Sequence, residues 1–215
     1  MKTIIKYELV INKALRSALN YDTPDEQINE FIRFFGKHIG SDRIYIFEDC
    51  DEKHVTKNTY EWCADGIVPE IHELQNVDMD IIGWWYQAFD KDRNVIITDI
   101  EQIKDEHRES YNMLKAQNVK NLVVCPIRYK DEIKGFFGVD NPPESDTLGL
   151  TTFLDMIGTL LISLLKLRNS FTKSNKEAKL SSYSSLSSIY ISMALVNVQT
   201  HRYHIVKTLD EVVHF

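Results

Sequence analysis

Cysteine is scarce in this chain of 215 residues, which holds only Cys50, Cys63 and Cys125. The count is odd and the spacings match no zinc-binding pattern, so the three are read as reduced thiols. Long apolar runs are missing as well. A membrane span needs ~20 consecutive apolar residues. Leu148–Leu167 comes closest, but Asp155, Lys166 and several Ser, Thr and Gly residues interrupt it. The opening M-K-T-I-I-K-Y-E-L-V is too charged for a signal peptide. These absences lead to the expectation of a cytoplasmic protein with no membrane insertion. Basic clusters are also lacking: Lys+Arg number 25 against 32 Asp+Glu, a net charge of −7. Phosphate backbones need concentrated Lys and Arg, so nucleic acid is not the expected partner. There is no Gly-rich phosphate loop, no H-E-x-x-H and no G-x-S-x-G. His38, His54, His72, His107, His201, His204 and His214 are scattered, so no metal, no cofactor and no catalytic residue is expected.

What the chain does have is punctuated periodicity. Residues 3–20 carry Tyr7, Ile11, Ala14 and Ala18 at helical spacing. Thr23-Pro24-Asp25-Glu26 is a helix start, with Thr23 as cap, Pro24 in the first turn and Glu26 closing a capping box. Ile28, Phe31, Ile32, Phe35 and Ile39 form the stripe of that helix, and Gly40 ends it. Arg43–Glu48 and Val55–Cys63 read as a first strand pair. Ala64–Val77 is irregular, Asp80–Asp90 a short helix, Val95–Thr98 a short strand, and Asp105–Gln117 a polar helix.

The stretch from Asn121 to Pro143 then organises the chain. Leu122–Ile127 and Ile133–Val139 are apolar runs around a charged turn, the pattern of a β-hairpin. Gly135 and Gly138 remove side chains where another backbone or a ligand could come close, and Pro126 leaves one ladder position without a donor. Beyond it, Leu150, Leu154, Ile157, Leu161 and Leu164 step by four and three, a heptad seam. Such a seam packs on its own domain's sheet or pairs with a second chain, and a homodimer through helix 147–170 is expected.

The hairpin residues Val123, Val124, Pro126, Ile127, Gly135, Phe137, Gly138 and Val139 resemble the last hairpin of a GAF domain, and the resemblance covers about residues 22–170. It implies an α+β fold: a twisted antiparallel sheet flanked by helices, with a long C-terminal signalling helix. It implies the division 1–21 N-terminal helix, 22–170 sensor domain and 171–188 linker helix. Ile189–Val198 and Arg202–Thr208 form a further hairpin signal that resembles the opening strands of a PAS-type domain, so 189–215 is expected to be the truncated start of a second domain.

In this family a ligand lies between the sheet and the middle connections, here about residues 60–120. The candidates this implies are Tyr60, Trp62, Cys63, Trp84, Trp85, Tyr86, Asp99, His107 and Tyr111. The bland alternative is that these aromatics fill a small core. Signatures of better-defined members are missing. The cyclic-nucleotide Asn-Lys/Phe/Asp-Glu set is not found. Glu106 precedes His107 where bilin-binding members carry their thiol, so covalent attachment there is impossible. The three cysteines match no pattern of members that reduce free methionine sulfoxide.

The expectation is therefore a non-enzymatic sensory domain that binds an unknown small molecule. It would signal through the long helix to an output such as a GGDEF diguanylate cyclase, whose bacterial GAF partners this chain resembles in N-T-Y-E-W-C and G-F-F-G-V-D-N-P. The alternatives are a thiol-dependent reductase of a small oxidised metabolite and a ligand-free dimerisation module.

Overall fold

The computed structural model describes residues 2–143 and 147–173. The chain divides into two compact units, Met1–Ile162 and Ser163–Phe215. The proposed linker beyond Lys173 and the PAS-like stretch 189–215 lie outside the described residues.

The first unit is a six-stranded antiparallel sheet of order β3-β2-β1-β6-β5-β4. Its strands are β1 (Arg43–Cys50), β2 (Val55–Cys63), β3 (Val77–Asp78), β4 (Val95–Ile97), β5 (Leu122–Tyr129) and β6 (Glu132–Asp140). The α+β class and the GAF-like layout expected from the sequence are what the chain adopts. The turn of the organising hairpin is tighter than its charged residues suggested. The strands run to Tyr129 and Glu132, and Lys130 and Asp131 make the reversal with φ of 49° and 66°. Two left-handed residues match the twist of the flanking strands, as in a type I′ turn. The two-residue β3 carried no alternation to read.

Alternation sorts the strand side chains onto two faces. Helices α1 (Lys2–Ala18), α2 (Pro24–Ile39) and α5 (Thr147–Lys173) are the long helices. α2 begins with the capping box that the sequence predicts, the Thr23 side chain accepting from the Glu26 N–H, and ends at left-handed Gly40. On its face of the sheet Phe35 meets Phe137 with ring centroids 6.4 Å apart. A Cβ at Gly36 would overlap the Trp62 ring, so the helix and β2 close directly on one another there. Gly158 of α5 brings its backbone onto β5, where an added Cβ would stand 3.1 Å from the Pro126 carbonyl oxygen. Tyr7 of α1 packs on Phe153 of α5, centroids 5.6 Å apart.

Within the first unit the heptad seam is buried inside the chain: Leu150, Leu154, Ile157 and Leu161 are each 0% exposed. These side chains are therefore spent on the chain's own packing. A second copy meeting α5 would have to use other positions.

The opposite face carries Tyr45, Phe47, Leu122, Val124 and Phe136, covered by the middle connections. Those include α3 (Gly83–Phe89), α4 (Arg108–Ala116) and the short 3-10 turn Ile100–Ile103. The hairpin glycines serve this geometry. Gly135 has φ 141°, and a Cβ on it would collide with the Phe47 carbonyl; Gly138 lies beneath the Tyr45 ring. The close approaches expected at both come from β1.

Candidate functional site

A small cavity lies between the sheet and the middle connections, with a volume of about 30 Å³. That is room for a water or two rather than for an extended ligand, since one water needs ~10–15 Å³ on this measure. Its sheet wall is Tyr45, Phe47 and Phe136, with Arg43, Glu61 and Asp140 at one end. Its cover is Leu74, Val77, Ile82, Trp85, Met113, Leu114 and Gln117.

The charged end is built by register. Arg43 sits opposite Cys63 on β2 and opposite Asp140 on β6, so the first residue of β1 joins the last residues of both neighbours. Arg43 and Asp140 are buried, and Nη1 of Arg43 donates to Asp140 Oδ2 at 3.1 Å. Nη2 donates to the Val68 carbonyl at 2.9 Å. Nε stands 3.4 Å from Glu61 Oε1, a charge contact without hydrogen-bond geometry. Glu61 in turn accepts from the backbone N–H of Glu70 and Ile71 at 2.9 and 3.1 Å, and from Asn58 Nδ2. The irregular segment 64–76 is thus pinned to the sheet by two buried charges.

Electrostatics follow from that burial. Loss of hydration pushes the Asp140 carboxyl up to about 6, although Arg43 and the neighbouring Tyr45 hydroxyl pull the other way. Burial also drives the Tyr45 hydroxyl well above its usual range, with the Asp140 charge adding to it. Burial works against the Arg43 charge, but Asp140, Cys63 and Glu61 together outweigh it and hold the guanidinium above its ordinary value. Burial, then the Glu61 charge, pushes the Cys63 thiol up to about 11.

Of the nine candidates implied by the family resemblance, Trp85 lines the cavity. Trp84, Tyr86 and Tyr111 pack against the same apolar cluster from behind. Trp84 donates to Ser110 Oγ at 2.9 Å and stacks on His107 with centroids 4.1 Å apart; Tyr86 donates to Asp49 at 2.7 Å, and Tyr111 to Glu101 at 3.1 Å. Asp99 is exposed and caps a 3-10 turn, accepting from the Glu101 N–H. Tyr60 and Trp62 are on the helical face: Tyr60 donates to Asp25 of α2, and Trp62 lies over Gly36. This differs from the expectation, and the pleat explains it. Glu61 faces the cavity, so its neighbours on β2 face away. Cys63 stands beside Arg43, at the rim.

The sequence reading missed Arg43, Tyr45, Glu61 and Asp140. One signal was available: a charged residue at the end of each of two otherwise apolar strands, which must be buried together if those strands are neighbours.

The sequence profile of the GAF domain family matches residues 23–161. This chain belongs to the GAF domain family. The match spans both hairpins, α2 and the part of α5 that packs on the sheet. One relative is the methanogenesis regulatory histidine kinase FilI of Methanothrix harundinacea, 26% identical over an alignment of 128 residues that covers 57% of this chain. The chain spans 14% of that relative's length. A solved GAF domain of an Acinetobacter phosphoenolpyruvate-protein phosphotransferase superposes with a TM-score of 0.58 at 10% identity, covering 78% of this chain and 98% of that one. A phycoerythrobilin-bound GAF domain of a cyanobacterial phytochrome gives 0.58 at 16% identity, over 76% of this chain and 97% of that one. At such identities the structural matches establish the fold.

Proposed function

We propose that this GAF domain is a sensory module: it binds a small molecule in the cavity beneath segment 64–76 and passes the bound state to α5. The observation that carries the reading is the position of Asp140. It lines the cavity, closes β6 and pairs with Arg43. The following Asn141 donates to Asp42 and accepts from the Lys120 N–H, and the chain then turns through Pro142-Pro143 toward α5. A ligand that repositions Asp140 acts on the segment that leads into the helix.

The output is a signalling enzyme. The sequence resemblance points to a GGDEF diguanylate cyclase, and the one curated relative described above favours a histidine kinase. The residues given act as a sensor rather than a catalyst, in the cytoplasm and as a homodimer. Since Leu154 and Leu161 are buried within the chain, the dimer would meet elsewhere.

Thiol chemistry finds little support. Cys50 and Cys63 stand at opposite ends of the β1–β2 ladder, and Cys125 lies on the helical face near Gly158. A thiol held up to about 11 is protonated at neutral pH and a poor nucleophile.

Native mass spectrometry of the purified chain tests the proposal. A copurified small mass that is lost on substituting cavity residues supports the sensor. A chain that carries nothing, from every host and growth condition tried, counts against it. The same spectrum reads the oligomeric state.

A further inference from the structure

Three buried side-chain polar atoms of residues in the cavity wall have no hydrogen-bond partner among the described residues; Nε of Arg43 faces the Glu61 carboxylate at 3.4 Å, and the other two are the indole N–H of Trp85 and Oδ1 of Asp140. Both side chains belong to residues 2% exposed. One atom is an obligate donor and the other an acceptor when ionised. Leaving either unpaired in an apolar setting is costly, so the wall favours an occupant that answers both.

The charge balance restricts that occupant. Arg43 is the only cation of the wall, and its guanidinium is already engaged by Asp140, the Val68 carbonyl and Glu61. One cation stands against two carboxylates, so an incoming anion meets net repulsion. A cation would be drawn by the surplus carboxylate but would lose its hydration among mostly apolar wall residues. Size restricts it further. The cavity is about 30 Å³, far below the ~300–1,000 Å³ of ordinary ligand pockets. The wall residues best able to yield are Met113 and Gln117, half-buried and flexible, whereas Tyr45, Phe47 and Phe136 are packed ring on ring.

We infer that the cavity takes an uncharged, flat, one-ring heterocycle bearing both an N–H and a carbonyl, the N–H directed to Asp140 and the carbonyl to the Trp85 indole, and that it rejects carboxylates and phosphates. This rests on the cavity being the sensor's ligand site. A one-ring occupant requires Met113 and Gln117 to move aside, a smaller displacement than an extended chromophore such as the phycoerythrobilin in the phytochrome structure above would need.

The test uses the full chain labelled with nitrogen-15 at about pH 8, where a carboxyl of pKa about 6 is ionised. The probes are 2-pyridone, N-methyl-2-pyridone and picolinate, which share one ring size. The indole N–H signals of Trp62, Trp84 and Trp85 are assigned by substituting each to Phe. 2-Pyridone should move the Trp85 signal saturably. N-methyl-2-pyridone, which cannot donate to Asp140, should bind about fivefold more weakly. Picolinate should bind about tenfold more weakly or not at all. Trp85→Phe keeps a ring and removes the donor, and should weaken 2-pyridone about fivefold, read on the Asn141 amide. The methylated probe needs no altered protein, so a failure of that variant to fold leaves the test intact. Picolinate binding as tightly as 2-pyridone overturns the inference while leaving the sensor reading standing, as does a copurified anion. A Trp85 signal that responds to none of the probes also overturns it, and the sensor reading then stands or falls on the copurified mass alone.

Discussion

The two faces of the sheet use the same six strands in opposite ways. On the helical face Ile44, Ile46, Val123, Phe137 and Val139 are each 0% exposed, and Phe31, Phe35, Leu154 and Leu161 from the helices are equally closed. Close backbone approaches at Gly36 and Gly158 tighten this face further. On the cavity face the strands end in Arg43, Glu61 and Asp140, the cover is short helices and irregular chain, and three buried polar atoms of the wall have no hydrogen-bond partner among the described residues. Burial of apolar surface dominates the first face. The second keeps charged groups dry, which is costly unless they are paired. The difference suggests a division of labour, with the helical face as scaffold and the other as the part free to respond.

The largest expected effect tests that division directly. Phe137→Ala on the helical face should destabilise the domain by about 4 kcal/mol, because the closed packing around a fully buried ring collapses little into the space left. Met113→Ala on the cavity cover should cost about 1 kcal/mol, since its side chain is only partly buried and the cavity beside it already exists. Urea unfolding of the two variants measures both. Equal losses would mean that the cavity face is as rigidly packed as the other.

The second effect concerns the charged end. Arg43→Met leaves Asp140 and Glu61 buried without their cation and frees the Val68 carbonyl, at a cost of about 3 kcal/mol. Adding Asp140→Leu removes the orphaned carboxylate and should recover most of that loss. If the double variant is no more stable than the single one, the pair contributes through the anchoring of segment 64–76 rather than through charge compensation.

How much of this was legible beforehand follows the same division. The helical face writes itself into the sequence: the 3.6-residue stripe of α2, its Thr23–Glu26 box and the Gly40 stop are local signals, and all three are present in the fold. The organising hairpin was readable because alternation, turn residues and glycines lie within a short span. The cavity was not. Arg43 and Asp140 are 97 residues apart and meet only because β6 is inserted beside β1, a fact of topology. Aromatic residues pointed to the stretch that lines the cavity but not to which side of the sheet each would face. Trp62 and Trp85 look alike in sequence, yet one lies over Gly36 on the helical face and the other lines the cavity. Which side of β2 faces inward depends on an irregularity at Ile46/Phe47 in its register with β1.

The smallest effect asks how well the cavity face tolerates its charge. Asp140 titrates at about 6 in the folded chain against an ordinary value of 3.8. Between those values the folded state holds a proton that the unfolded chain has released. Stability from this group is therefore greatest below about pH 4, declines as pH rises through about 6, and is level above that. The expected decline is about 1–2 kcal/mol, less than the full shift implies because Arg43 and Tyr45 adjust as the carboxylate forms. The measurement is the difference in unfolding free energy between the natural chain and Asp140→Asn across this range, which cancels the titration of the exposed carboxylates. A difference that grows with pH would reverse the sign. It would mean that the Arg43 pairing outweighs burial, that the carboxylate is the preferred native form, and that the cavity face is as well satisfied with its charges as the helical face is with its rings.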